Sequence, residues 1–244
     1  MSGAKVKAPR KGFSEWTVVG EPSLDRVGHR LWMIKGYVPG MQLGRWMAVA
    51  RREDGSLVIH NPVALPEAEM SCIDEWGPVG VIVVPNRFHR LDAAPFHQRY
   101  PKAKVVCPAG ARAKVEEVVP VDLVYGELEA DAVVSLRHVA GLDDSEGVMT
   151  VHDEDGTTLV LNDLLFNMEH GKGLAGLVFR VLGSTGGPRV TRLFKMLALK
   201  DKTALREALR SLADTEDLVR VVPGHGRIID EDPAGTLRAV AERL

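Results

Sequence analysis

The sequence predicts an α/β fold, a four-layer αββα sandwich in which two mixed sheets pack face to face and carry helices on their outer faces. Three observations predict it. Turn signals for hairpins open both halves of the chain, at Glu53-Asp54-Gly55 and Glu154-Asp155-Gly156. Apolar β-branched runs alternate with helical segments between them, as βαβ units require. One doubly wound sheet has no place for two hairpins, whereas two mixed sheets accommodate both patterns.

Taken in order, Leu31 to Ile34, Trp46 to Arg51 and Ser56 to His60 are short apolar or alternating strands, the last two joined by the first hairpin turn. Pro66 to Trp76 reads as a helix, with acidic residues in its first turn, Met70, Ile73 and Trp76 at helical spacing, and Gly77-Pro78 as its stop. Val79 to Val84 is a continuous apolar run suited to a strand buried on both faces. Leu91 to Arg99 is a helix, Lys104 to Cys107 a strand and Ala109 to Glu117 a further helix. Ala132 to Val139, Gly147 to His152 and Thr157 to Leu161 return to antiparallel sheet. Helices then follow over Leu174 to Leu182, Val190 to Leu199 and Lys202 to Leu212, before a strand Leu218 to Val222 and a terminal helix from Pro233, whose missing N–H costs nothing in a first turn. With no linker and no repeat, residues 1–244 form one domain, in which 1–15 is a flexible tail and 167–202 a helical insert.

Composition narrows the class. The chain carries 31 Lys and Arg against 33 Asp and Glu, a net charge of -2, so it lacks the basic excess that phosphate neutralisation demands, and no nucleic-acid partner is expected. Lys5, Lys7, Arg10 and Lys11 stand among Pro9, Gly12 and Ser14, where a signal peptide would have its apolar run. The most apolar stretches, Val79 to Pro85 and Gly173 to Gly183, fall short of the ~20 residues that span a bilayer. Cys72 and Cys107 are too few for a disulfide framework and both stand in apolar sequence, with Cys107 expected to be a buried, inert thiol. A cytoplasmic protein with a small-molecule substrate and no membrane partner is the expectation.

Polar residues at the ends of apolar strands are where such folds place their chemistry, because the strands hold exposed loops rigidly. Three places qualify: Val83-Val84-Pro85-Asn86-Arg87-Phe88-His89-Arg90-Leu91-Asp92, Leu159-Val160-Leu161-Asn162-Asp163, and Val221-Val222-Pro223-Gly224-His225-Gly226. In the last, a glycine on each side lets the backbone approach a ligand closely. This ordered set resembles the metallo-β-lactamase fold superfamily over about residues 30 to 230. In that family a strand ends in His-x-His-x-Asp-His, and Gly-His, Gly-Asp and Pro-Gly-His-Gly follow later strands.

The resemblance implies the same sandwich fold and places His89, Asp163 and His225 on ligand positions. Asp92 falls on another as a substitute, although it also stands where a helix N-cap is needed. The match is incomplete, because Arg87 and Leu91 occupy two ligand positions and Gly141-Leu142 replaces the mid-chain Gly-His. His138, three residues before Gly141, fills that gap only if its strand is shifted in register. A dinuclear centre is therefore not expected. The resemblance instead implies at most one divalent metal (Zn, Mn or Fe) held by His89, Asp92, Asp163 and His225, a set of imidazole and carboxylate that suits these ions. Asp163 and His225 are then the catalytic residues of a metal-dependent hydrolase acting on an ester, thioester or phosphoester. The competing reading is a metal-free binding or scaffolding protein of the same fold.

Arg87 brings positive charge to the cleft, which means either an anionic substrate bound by Arg87 or a cleft without a metal. His60, ending its strand before Asn61-Pro62, is expected to border the same cleft. In the insert, Leu174, Leu177, Val178, Val181 and Leu182 form one helical apolar stripe, and Leu193, Phe194, Met196, Leu197 and Leu199 a second. Such stripes are core, a lid over the cleft, or the surface of a homodimer formed through residues 167–202.

Overall fold

The computed structural model describes residues 9, 11–41 and 43–244, with Leu174 and Ala175 described only by their backbone. Lys5, Lys7 and Arg10 of the expected tail, and the Leu174 side chain of the first stripe, lie outside the described residues. Part of the expected tail is tied down, since the Phe13 N–H donates to the Leu91 carbonyl at 2.7 Å. Just beyond it, Trp16 stacks on Phe96 with ring centroids 4.8 Å apart.

The chain begins with β1 (Ser23–Arg26), β2 (Leu31–Tyr37), β3 (Gly44–Arg51) and β4 (Leu57–His60), an antiparallel meander. Helix α1 (Glu67–Trp76), β5 (Val79–Val83), α2 (Ala93–Arg99), β6 (Lys104–Cys107), α3 (Arg112–Val115) and β7 (Leu123–Val124) follow. The pairings from β4 to β7 are parallel, which completes a seven-stranded sheet with its strands in sequence order. The second half gives β8 (Val134–His138), β9 (Gly147–Asp153), β10 (Gly156–Val160), β11 (Phe166–Met168), α4 (Gly173–Val181), β12 (Gly187–Arg189), α5 (Arg192–Ala198), α6 (Lys202–Ala213), β13 (Leu218–Val222), β14 (His225–Gly226) and α7 (Pro233–Glu242). Here β13, β10, β9 and β8 form a four-stranded sheet and β12, β11 and β14 a three-stranded one.

Side-chain alternation assembles the layers. A strand sends successive residues to opposite faces. Leu31 and Met33 of β2, Ala48 and Ala50 of β3 and Val58 of β4 meet Leu136, Met149, Val151 and Val222 of the second sheet in one buried cluster. Their neighbours Trp32, Ile34, Met47, Val49, Leu57 and Ile59 point the other way, onto Met70 and Ile73 of α1 and Phe96 of α2. On the far side, Val148, Leu159 and Val221 pack against Leu205 and Leu209 of α6 and Leu237 and Val240 of α7. The expected mixed sheets with outer helices are thus what the chain forms, and each such side chain taken from water contributes about 1.5–3 kcal/mol.

Some elements depart from expectation. Strands β1, β7, β11, β12 and β14 were not foreseen, because they are short or polar and exist only through their partners. The expected helix over Ala109 to Glu117 is a single tight turn followed by one turn of α3. Cys72 lies on the exposed side of α1 despite its apolar sequence neighbours, whereas Cys107 is buried. In the insert, Phe194 and Ala198 of α5 join the core, but Leu177, Val178 and Val181 of α4 stand exposed. Among the described residues, no helix is long and apolar enough to cross a membrane.

Candidate functional site

Three loops leave the same end of the sandwich and bring His89, Asp163 and His225 together, all buried, with one ligand atom of each within 4.8 Å of the others. His89 lies beyond β5, in a loop shaped by Asn86, whose side-chain oxygen accepts from the Phe88 N–H at 2.8 Å and the His89 N–H at 3.0 Å. Asp163 lies just past β10. His225 opens β14, which pairs with β11 through Phe166.

The glycines flanking His225 serve this placement rather than a ligand. A Cβ on Gly224 would stand 2.6 Å from the Asn162 backbone, and one on Gly226, at φ +97°, would stand 1.9 Å from the Asn167 carbonyl oxygen. The expectation that they admit a ligand is therefore corrected: they admit the two backbone segments that flank Asp163.

The Nε2 atoms of His89 and His225 stand 3.0 and 3.5 Å from the same carboxylate oxygen, Asp163 Oδ1. Their other nitrogens are already committed. His225 Nδ1 lies 2.6 Å from the Gly44 carbonyl oxygen, which only accepts, so Nδ1 carries the proton. His89 Nδ1 lies 3.1 Å from Asn61 Oδ1, and the Asn61 amide is oriented by donating to the Trp46 carbonyl at 2.6 Å, so here too Nδ1–H donates. In the neutral rings both Nε2 atoms therefore present lone pairs to an anionic oxygen. Burial holds the His89 pKa below its usual value, the Asp163 charge opposing this only in part, so a second proton on that ring is disfavoured.

Asp163 itself is held as the anion. Burial works against its charge, and what draws the carboxyl well below its usual range is positive charge at His89 and His225, which neutral rings leave to a cation lying between them. Asn86 Nδ2 donates to its other oxygen, Oδ2, at 2.9 Å. The same amide donates at 3.0 Å to the buried Glu146, whose pKa burial and the Asp163 charge push far up. Three acceptor atoms converging without a donor between them form a place for a cation. Metal bonds of about 2.1 Å in tetrahedral array put ligands about 3.4 Å apart, close to the 3.0 and 3.5 Å separations from Asp163 Oδ1, while the two histidines, up to 4.8 Å apart, would have to draw together around an ion. The residues fit one such ion, with Asn61 and the Gly44 carbonyl as the outer partners that fix both rings.

The other expected site residues lie elsewhere. Asp92 stays outside the triplet: its Oδ2 accepts from Arg45 Nη2 in a fully buried ion pair, while Arg45 Nη1 donates to the Pro62 carbonyl at 3.1 Å. Asp92 is also not a side-chain cap for α2, although it stands in the N-cap position. Arg87 lies over the Phe88 ring, 4.9 Å from its centroid, and borders a small adjacent crevice with Glu146 and Ser145. The cation set against Asp92 is thus Arg45, not Arg87. His60 is buried within the sheet, its pKa pushed down to about 3 by burial, and it does not line the cleft. His138 accepts from the Ala109 N–H at 3.1 Å, away from the triplet. Sequence reasoning missed Asn61, Asn86, Arg45 and Glu146. Asn86 alone left a signal, as an Asn directly after a buried strand and proline.

The sequence profile of the metallo-β-lactamase superfamily matches residues 73–225, more than half of the chain. The chain belongs to this superfamily. Solved structures of superfamily members share its fold. The DIM-1 metallo-β-lactamase exposed to ceftazidime is 15% identical with a TM-score of 0.63, the match covering 93% of this chain and 99% of that one. The Erythrobacter litoralis metallo-β-lactamase, with β-mercaptoethanol in its active site, is 14% identical with a TM-score of 0.64, covering 93% and 99%. The mono-zinc form of FIM-1 from Pseudomonas aeruginosa is 12% identical with a TM-score of 0.61, covering 92% and 96%. No curated protein sequence matches the chain.

Proposed function

We propose that this superfamily member is a hydrolase that works with a single divalent metal, held by His89 Nε2, Asp163 Oδ1 and His225 Nε2, on an ester or related acyl or phosphoryl substrate. The observation that carries this reading is the convergence of three bare acceptors whose orientations are set by Asn61, Gly44 and Asn86. His89, Asp163 and His225 would hold such a metal, which would supply Lewis acidity and an activated water at neutral pH. The mono-zinc form of FIM-1 is a precedent within the fold for one ion.

The chain's own residues supply the rest. Asn61 and the Gly44 carbonyl hold the two imidazoles in one tautomer, and Asn86, donating to Asp163 Oδ2, leaves Oδ1 turned toward them. Arg45, held by its buried pair with Asp92, lines the same cavity as His89. Metal analysis of the purified protein tests the reading. About one ion per chain is expected, lost in both Asp163→Asn and His225→Ala. A wild-type protein that stays metal-free after Zn²⁺, Mn²⁺ and Fe²⁺ are offered refutes it and favours a binding protein without catalysis.

A further inference from the structure

His89, Asp163 and His225 stand at one wall of a cavity of about 550 Å³, and most of the remaining lining is hydrocarbon. Leu43 and Phe88 border it from the first half of the chain, and Leu182, Leu193, Phe194 and Leu197 from α4, α5 and their neighbours. We infer that this cavity takes the hydrocarbon chain of an acyl ester or thioester, about eight to twelve carbons long, with its carbonyl carbon at the triplet. The inference rests on the hydrolase reading and narrows its substrate.

Size, polarity and exposure agree on this ligand. At roughly 30 Å³ for each non-hydrogen group, the cavity holds on the order of 15 to 18 such groups, enough for the chain, the reacting ester and part of its leaving group. Arg45 lines the cavity, but its charge is met by Asp92 and its Nη1 by the Pro62 carbonyl. What it retains is the buried Nε, without a partner among the described residues. That Nε is itself shut off from solvent, so apart from the metal proposed at the triplet the described lining offers a ligand no free cation, whereas the several charges of a phosphoester would need more. Leu182, Leu193 and Leu197 remain 37%, 42% and 41% exposed, so a hydrocarbon occupant removes their apolar surface from water. The reaction breaks the acyl carbon–oxygen or carbon–sulfur bond and joins that carbon to the oxygen of water. One water proton goes to the departing alkoxide or thiolate, and the other is released as the acid ionises.

Calorimetric titration with butanoate, hexanoate, octanoate and decanoate, beside hydrolysis of the p-nitrophenyl esters of acetate, butanoate and octanoate, tests the inference on the full chain. A fully buried methylene strengthens binding about fourfold, so octanoate is expected to bind at least about tenfold more tightly than butanoate, in the wild type and in Asp163→Asn alike. Leu197→Glu and Leu193→Gln, at half-exposed positions that tolerate polar groups, should flatten that dependence. Met196→Gln, at a 75% exposed position of α5 outside the cavity, should leave it intact. Equal affinity for butanoate and octanoate overturns the inference, as does a loss of chain-length dependence in Met196→Gln. Octanoate binding that weakens as the protein self-associates overturns it too, by assigning the cavity to a second copy of the chain. Flat binding with turnover of the acetate ester leaves the hydrolase reading standing without the acyl pocket. Chain-length-dependent binding without turnover of any ester sinks the hydrolase reading and keeps the acyl ligand.

Discussion

Replacing Arg45 by methionine strips the Asp92 carboxylate of its partner in a place water does not reach. The two side chains are 4% and 0% exposed, and the Pro62 carbonyl loses its 3.1 Å donor in the same substitution. Breaking one side of a buried pair typically costs about 3–5 kcal/mol, because the remaining charge must stay buried alone or take up a proton. The double substitution Arg45→Met with Asp92→Leu behaves differently. Burial already pushes the Asp92 pKa up against the pull of Arg45, so for this carboxylate desolvation outweighs the attraction. Replacing both by apolar groups of similar volume is therefore expected to recover much of that loss, leaving about the 1–3 kcal/mol cost of the unpaired Pro62 carbonyl. Urea denaturation with all four members of the cycle measures this, with the slope as a check that compactness is unchanged. A single variant costing less than about 1 kcal/mol, or a double variant as unstable as the single one, refutes the reasoning.

The remaining predictions concern the imidazoles and the thiols. Asn61 sits at φ +57°, so glycine removes its side chain without backbone strain; Asn61→Gly should weaken metal binding about 10–100-fold in a competition titration, while Asn61→Asp, which still accepts from His89 Nδ1–H, should retain it. Equal weakening by both would mean that the acceptor does not orient His89. Burial pushes the Cys107 thiol up to about 12, so iodoacetamide at pH 8 should modify the exposed Cys72 alone in the native protein and both cysteines in denaturant, as counted by intact mass. Rapid native modification of Cys107 would contradict its burial.

Local chemistry was legible in the sequence where it acts locally. The hairpin turns before Ser56 and Thr157, the apolar run of β5 and the helix start at Pro233 declare themselves within a few residues, and the structure keeps them. Asp232 caps that helix, accepting from the Gly235 N–H at 2.9 Å. What escaped were relations across the fold. Arg45 and Asp92 are 47 residues apart and Asn86 and Asp163 are 77 apart, so nothing near either member announces the other. Reading charge along the chain put Arg87 in the cleft because it neighbours His89. Packing instead turned it onto Phe88 and gave the buried place to Arg45.

The same distinction governs how the incomplete metal motif is weighed. Counting ligands along the sequence registers Arg87, Leu91 and Leu142 as losses and leaves the capacity to hold an ion open. Whether the remaining three can hold one depends on the direction of their lone pairs, which Asn61 and Gly44 decide from outside the motif. Two bare nitrogens facing one carboxylate oxygen repel it unless a proton or a metal ion lies between. A proton on His89 must be placed in a buried ring whose pKa burial already holds down, and it serves only one of the two contacts. A single cation satisfies all three atoms at once, so the orientation of these groups, more than the number of motif positions kept, supports a metal in this cleft.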